Sequence, residues 1–459
     1  FTSYMRILLK NCMCFHYDPD PITSVVNIEI VEGKISGFPV SENGDYDQII
    51  NLEGKEVFPG GIDPHVHFAY IQGGKAISAD SFETGSIAAV TGGTTTIMDF
   101  VEAKGDQTAK AAIDIRKNQA LSQNCIVDFA FHFSICNMEQ ERLIEEAATI
   151  EESFKIYTVY NGLKIDSASD LFKLMSKIAH ADKVAMIHCE NDQVIAARLP
   201  TATHISQMPQ IRPDWNELEA TTRVLTVAEL ANCSIHIAHV SLAQAVHIIQ
   251  VYRERYNQKK VSCEITGHHF CLDNAMYEEY PQKELLVMAP PLQSSQNLKE
   301  IQQLLGKGLI DMTCSDHCPF TVQQRNGSFY PGKFDKYVER KFTEMPGGTN
   351  GVQVRFIATY SQMKQCNCSL EQISKVLSQN AADRYKLQGK GRIAIGADAD
   401  LTVVDFAATT VFGKDLMVEN CDQTLFEGIK FRGKVEKVFV KGVEWTKGAK
   451  VPKGRYLRE

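Results

Sequence analysis

The sequence predicts a (β/α)8 barrel of the TIM type joined to a small β-sandwich made from both ends of the chain. Three observations carry that expectation. Between residues 59 and 380, short apolar runs alternate with segments of helical periodicity, as βα units around a parallel sheet do. Eight such runs within about 320 residues suit a closed barrel with insertions. The two ends of the chain, in contrast, read as short strands broken by glycines. Neither end holds much core alone, so pairing them into one domain is the economical arrangement.

Residues 1–58 supply MRILLK, VVNIEIVEGKISGF and the run up to KEVF, with Gly33, Gly44 and Gly54 at the turns. Residues 59–380 carry the barrel runs GGIDPHVHF, TTTIMDF, IVDFAFHF, SFKIYTVY, VAMIHCE, IHIAHVS, VSCEITGHHF and LIDMTCSDH. Helical spacing shows in KAAIDIRKNQAL, MEQERLIEEAATIEE, ASDLFKLMSKIAHA and QAVHIIQVYRERYNQ. An open doubly wound sheet is the rival, but no GxGxxG or GxxxxGK[ST] turn follows any strand, which removes its nucleotide-binding forms. Gln323 to Gly351 lacks a helical pattern and reads as a long loop over the barrel mouth. Residues 381–459 return to strands in LTVVDF and KVFVKGVEW, punctuated by Gly396, Gly433 and Gly442.

Composition narrows the function classes. The chain has 459 residues, 44% hydrophobic and 23% charged, as a folded protein in water does. A net charge of -8 argues against broad binding to nucleic acid or to an anionic membrane surface. No run of about 18 apolar residues is present to span a bilayer. FTSYMRILLKN lacks the apolar core of a cleavable signal, so export is not expected. Thirteen cysteines form no CxxC pair, and Cys12/Cys14 and Cys366/Cys368 are too closely spaced for ordinary bridges. Free thiols in a reducing cytoplasm are the expectation.

Chemistry gathers at the C-terminal ends of the expected strands. The first run ends in His65-Val66-His67, the fifth at His188, the sixth at His239 and the eighth at Asp316; the fourth contains Lys155, five residues before Tyr160. A barrel brings these strand ends to one rim, where active sites form. Imidazoles and a carboxylate are ligands for zinc or a similar divalent ion, and residues i and i+2 of a strand share a face, so His65 and His67 can meet one ion. Singly, each signal is weak. HxH is common, a lone strand-end histidine is more often a satisfied core residue, Asp316 could cap a helix, and Lys155 could be a surface lysine. Their joint placement is the argument.

The same residues sit in longer stretches that resemble the cyclic-amidohydrolase branch of the amidohydrolase superfamily, the dihydropyrimidinase and hydantoinase group. The matching pieces are PGGIDPHVHF (59–68), GGTTTIMDF (92–100), SFKIYTVY (153–160), IHCEN (187–191), AHVS (238–241), MAPPL (288–292), CSDHCPF (314–320) and NGVQVRF (350–356), with the closing GRIAIGADADLTVVD. The resemblance covers essentially the whole chain. It implies two divalent metal ions. His65, His67 and Asp316 would hold the more buried one, and His188 and His239 the second. A hydroxide and Lys155, carboxylated by carbon dioxide to N6-carboxylysine, would bridge them. Ligand types favour Zn2+, with manganese and cobalt as the other ions they suit. Tyr160 would stabilise the oxyanion, and Asp316 would carry the hydroxide proton to the departing ring nitrogen. Peptide groups around Ala289 and Gly347 would hold the ring, although the family usually has MSPPL and PNG there. The group's homotetramer, with the C-terminal tail reaching a neighbour, is implied as well.

The implied reaction opens a small neutral cyclic ureide to an N-carbamoyl amino acid. Dihydrouracil or dihydrothymine is the leading substrate expectation, with 5-substituted hydantoins as the alternative. Dihydroorotase relatives place an arginine after HxH, whereas this chain has Phe68, Ala69 and Tyr70. Tyr160 argues against an allantoinase, and the intact set His65, His67, Lys155, His188, His239 and Asp316 against a non-enzymatic scaffold of the same fold. His132, His236, His268, His269 and His317 read as packing or rim residues, and His16, His180, His204 and His247 as wet. Cys189 and Cys318 read as packing, and Lys333, Lys336, Arg340 and Lys341 as a solvated loop face.

Overall fold

A computed structural model describes residues 5–41, 43–72, 76–327, 341–446, 448 and 451–458. Eight parallel strands make the barrel: β1 (Gly61–Asp63), β2 (Thr94–Glu102), β3 (Asp128–Ile135), β4 (Ser153–Tyr157), β5 (Val184–His188), β6 (Ser234–Ile237), β7 (Val261–Thr266) and β8 (Met312–Cys314). Each pairs in parallel with the next. Closure comes just beyond the ends of β8 and β1, where Val66 bridges His317 and the His67 amide donates to the His317 carbonyl at 2.9 Å. All eight apolar runs of the sequence coincide with these strands. Every residue of β3, β4, β5 and β7 is buried, because the outer helices cover one face and the barrel interior the other. That is why these runs read as continuous rather than alternating.

The helices follow local rules. Ala168–His180 starts at Ser167, whose side chain accepts from the Asp170 amide, and buries Leu171, Leu174, Met175 and Ile178 at helical spacing. Phe82–Thr91 starts with a capping box between Ser81 and Thr84 and ends at Gly92-Gly93. Gly93 has φ +97°, and a Cβ on Gly92 would strike the Gln353 carbonyl, so only glycine lets this helix turn directly into β2.

The chain ends share a second, mixed sheet. Its order is Val443–Glu444, Lys430–Val440, Leu401–Val411, Glu56–Pro59, Arg6–Tyr17, Pro21–Val31 and Lys34–Gly37, with Gln48–Asn51 also pairing Arg6–Tyr17. The join between the two ends is the antiparallel pairing of Leu401–Val404 with Glu56–Pro59. Its core includes Ile7, Leu9, Ile28, Ile30, Leu401 and Phe439. His16, expected to be wet, lies buried in the Arg6–Tyr17 strand beside the Ser24 hydroxyl, because the first β run extends further than its alternation suggested.

Residues 451–458 run along their own barrel. Phe129 at the start of β3 donates to the Arg455 carbonyl at 3.0 Å, and Leu457 donates back to Phe129 at 2.9 Å. A Cβ on Gly454 would collide with the Val127 carbonyl, so the tail lies against the bottom of its own barrel. No helix among the described residues is long and apolar enough to cross a membrane, and every cysteine is a free thiol. The basic run at Lys333, Lys336 and Arg340 lies outside the described residues.

Candidate active site

The strand ends open into a cavity of about 850 Å³. His65, His67, Lys155, Tyr160, His188, His239, Ala289, Asp316 and Gly347 all line it. Residues far apart in the chain meet here because β1, β4, β5, β6 and β8 end at the same level. The His65 and His67 rings lie 5.2 Å apart, His65 and His239 5.3 Å, and His188 and His239 4.5 Å. Asp316 Oδ1 is 3.0 Å from His67 Nε2 and 3.2 Å from His65 Nε2. Tyr160 stands 5.1 Å from the His188 ring, centroid to centroid.

These groups fit divalent ions. Ligand atoms of His65, His239 and Asp316 lie within 4.8 Å of one another, as do those of His65, Glu264 and Cys314. His67 Nδ1 and His239 Nδ1 are buried with no hydrogen-bond partner. Burial pushes His65 and His239 well below the ordinary imidazole range, with Lys155 adding to the effect on His65 and His188 to that on His239. They are therefore neutral, the form a metal requires. A third group, Asp128, Asp398 and Asp400, already surrounds the Lys390 ammonium.

Lys155 is fully buried, and its Nζ has no hydrogen-bond partner. Burial lowers its amine to about 8, although Asp316 and Glu264 favour the ammonium. The ring centroids of Tyr157 and Phe100 lie 5.0 Å and 5.2 Å from Lys155 Nζ. An amine held so is poorly solvated as a cation and open to covalent capture.

A second layer escaped the sequence reading. Glu264 Oε1 is 2.6 Å from His65 Nδ1, so the ring's other nitrogen faces the cavity. Burial raises the Glu264 carboxyl to about 8, against the pull of Lys155. Glu190 Oε2 holds His188 Nε2 at 2.7 Å and accepts from Arg212, while Glu190 Oε1 accepts from Asn216 at 3.1 Å. Burial raises Glu190, but Arg212 and His188 together bring the carboxyl down to about 2. The available signals were a glutamate inside the apolar run VSCEIT and the glutamate of IHCEN.

The histidines read as packing or rim residues bond outside the ligand set, although His236 Nε2 has no hydrogen-bond partner. His132 bonds Ser153 and the Pro64 carbonyl, and His236 bonds Ser262. His268 and His269 share Thr266, while His317 bonds Asp80. Tyr160, His239 and Asp316 all take positive φ, at 81°, 32° and 49°, a backbone strain typical of residues held for function. Gly347 is bonded within the chain. Its amide donates to Gln72 Oε1 at 2.7 Å and its carbonyl accepts from Gln72 Nε2 at 2.9 Å, so both peptide groups are engaged by the strand Ile71–Gln72.

Comparison with known proteins agrees with this geometry. The family model described as "Amidohydrolase family" matches residues 57–444. The chain belongs to the amidohydrolase family. Within it, this member is related to the D-hydantoinase and dihydropyrimidinase group. It is 31% identical over 428 residues to a D-hydantoinase of Geobacillus stearothermophilus, covering 90% of this chain and 88% of that one. Dihydropyrimidinase 1 of Caenorhabditis elegans is 30% identical, covering 87% and 83%. Among solved structures, the D-hydantoinase (dihydropyrimidinase) of a Thermus species superposes with a TM-score of 0.87 at 26% identity, covering 98% of each chain.

Proposed function

We propose that this amidohydrolase opens the ring of 5-substituted hydantoins to N-carbamoyl amino acids, with two divalent ions, most simply Zn2+, in the cavity. The observation that carries the reading is the convergence of His65, His67, Lys155, His188, His239 and Asp316 on one cavity. Relatives at about 30% identity are named for both ring types, but D-hydantoinases recur among the similar sequences and structures. The cavity, about 850 Å³, also has room for a substituent beyond a bare dihydropyrimidine ring. Both supports move hydantoins ahead of the dihydropyrimidines that the sequence put first. Dihydrouracil and dihydrothymine are the second reading, on the strength of the dihydropyrimidinase relatives.

Bound divalent ions supply hydroxide near neutral pH and polarise a ring carbonyl. The chain does the rest. Glu264 and Glu190 fix the tautomers and orientations of His65 and His188. His65, His67 and Asp316 would hold one ion, and His188 and His239 the other. The Lys155 amine would add carbon dioxide, forming an N–C bond and losing a proton, and the carbamate oxygens would then serve both ions. Tyr160, whose hydroxyl burial keeps protonated, donates to the carbonyl oxygen as its charge grows. Asp316 takes the nucleophile's proton at a carboxylate oxygen and delivers it to the departing ring nitrogen, a poor leaving group without it.

Rates measured side by side on hydantoin, a 5-aryl hydantoin, dihydrouracil and allantoin test the substrate order. The 5-aryl hydantoin is expected to be the fastest, and a clear lead for dihydrouracil would move the assignment to the second reading. Metal analysis is expected to find about two ions per chain. Lys155→Ala should lose at least one of them and most of the activity; an active wild type holding a single ion would defeat the dinuclear scheme.

A further inference from the structure

The cavity has two walls of different chemistry. One is apolar, with Val159, Ile195, Leu199, Met208 and Ile211. The other, formed by Tyr70, Glu102, Lys104 and Tyr157, is polar, and no step of the reaction above uses it. Glu102 is the last residue of β2. It pairs with Ser134, which pairs with Lys155. Paired residues on neighbouring parallel strands point to the same side of the sheet, so Glu102 faces the barrel mouth as Lys155 does. Phe100 lies one layer below it, stacked at 4.6 Å on the His67 ring.

Glu102 Oε1 is shut away from solvent and has no hydrogen-bond partner. Ser134 Oγ, beside it in the sheet, is in the same condition. Buried carboxylates are normally paired or hydrogen-bonded. A carboxyl oxygen shut away without a partner on the wall of a substrate cavity lacks a donor that a ligand can bring. The Tyr70 ring is close by, 5.2 Å from His67. Tyr70 and Glu102 line the same cavity.

We propose that this corner reads the side arm of the ring: Glu102, flanked by Tyr70 and Tyr157, selects cyclic ureides whose substituent ends in an ammonium or guanidinium group. The inference rests on the ring-hydrolysis reading above. A cationic arm gives the carboxylate a charge-assisted hydrogen bond and lies against two aromatic rings that favour cations. An alkyl arm of equal length fits the apolar wall but leaves Glu102 unsatisfied. Lys104 opposes a cationic arm from the rim, where it is exposed and screened by water and salt.

The test compares 5-(3-aminopropyl)hydantoin with 5-butylhydantoin, two arms of the same length, on wild type, E102Q and E102L, with unsubstituted hydantoin alongside. Wild type is expected to favour the amine in kcat/KM by about ten- to a hundredfold. The difference should sit mainly in KM, because the arm lies away from the reacting carbonyl. E102Q should shrink the ratio and E102L invert it. Each ratio is taken on one protein sample, so partial misfolding cancels, and melting temperatures check the variants. A wild type that turns over the butyl compound at least as well overturns the proposal, as does an E102Q ratio equal to wild type. If no ring is opened, unsubstituted hydantoin included, the hydrolytic reading has failed instead. Calorimetric titration of the two compounds then judges Glu102 by itself, and equal affinities would overturn it.

Discussion

At the scale of single residues, the site depends on side chains held in states water would not favour. Tyr160 is the sharpest case, since its proposed hydrogen bond strengthens only as charge develops on the carbonyl oxygen. Tyr160→Phe is therefore expected to lower kcat by about 10²–10³ while KM moves little. Steady-state kinetics on one ring decide it, and an unchanged kcat removes Tyr160 from the oxyanion role. Glu264 acts one bond further out. With the His65 nitrogen facing it at 2.6 Å, Glu264→Gln replaces the carboxyl that fixes the imidazole with an amide whose NH2 group can turn toward the ring and spoil its orientation. Metal affinity and activity should fall together by about 10–100-fold. Equilibrium dialysis against a chelator reads the affinity directly, and loss of activity with unchanged affinity would separate Glu264 from the metals.

At the scale of elements, what the sequence disclosed follows from how each element is stabilised. Strands buried on both faces must be apolar throughout, so all eight announced themselves, and the residues just past their ends carried the ligands with them. Glu190 and Glu264 lie within those stretches but their roles are not legible there, because a strand sequence says which face a carboxylate takes but not which ring it meets. Gly347 was legible as a position near the ring but not in its bonding. The strand Ile71–Gln72 crosses the mouth to reach it, a contact over 275 positions that no local pattern encodes. A primary amide presents its N–H and C=O side by side, as the cis amide edge of a cyclic ureide does. A ring that uses Gly347 must therefore displace Gln72. Gln72→Ala is expected to lower KM for hydantoin several-fold, about what two neutral hydrogen bonds contribute. An unchanged KM would take Gly347 out of the ring-binding set.

At the scale of the whole molecule, one buried lysine ties the parts together. Lys390 Nζ lies 2.6 Å from Asp128 at the start of β3, and 2.9 Å and 2.5 Å from Asp398 and Asp400, which lead into the Leu401–Val411 strand. Arg455 of the tail binds both Asp128 and Asp398. Barrel, terminal sheet and tail thus share one ionic hub, at the opposite end of the barrel from the catalytic cavity. Burial raises Asp128 and Asp398, but Lys390, together with Lys441 at Asp128 and with Lys34 and Arg455 at Asp398, holds both below the ordinary carboxylate range. Their folded values lie below their unfolded ones, so their stabilisation is complete above an unfolded pKa of about 3.9 and is lost as pH falls through the folded values. Lys390→Met leaves three carboxylates facing one another with their central cation gone. The expected cost is about 3–5 kcal/mol, that of breaking a buried ion pair from one side. Urea titration at pH 7 should show the midpoint falling, with the barrel and terminal sheet losing structure in separate steps where wild type loses them together. At pH 3 the gap between variant and wild type should narrow, since unfolded aspartates, with a pKa of about 3.9, are then mostly protonated and wild type loses much of the advantage of lowered folded values at Asp128 and Asp398. A variant as stable as wild type at pH 7 would show that hydrophobic packing alone couples the two sheets.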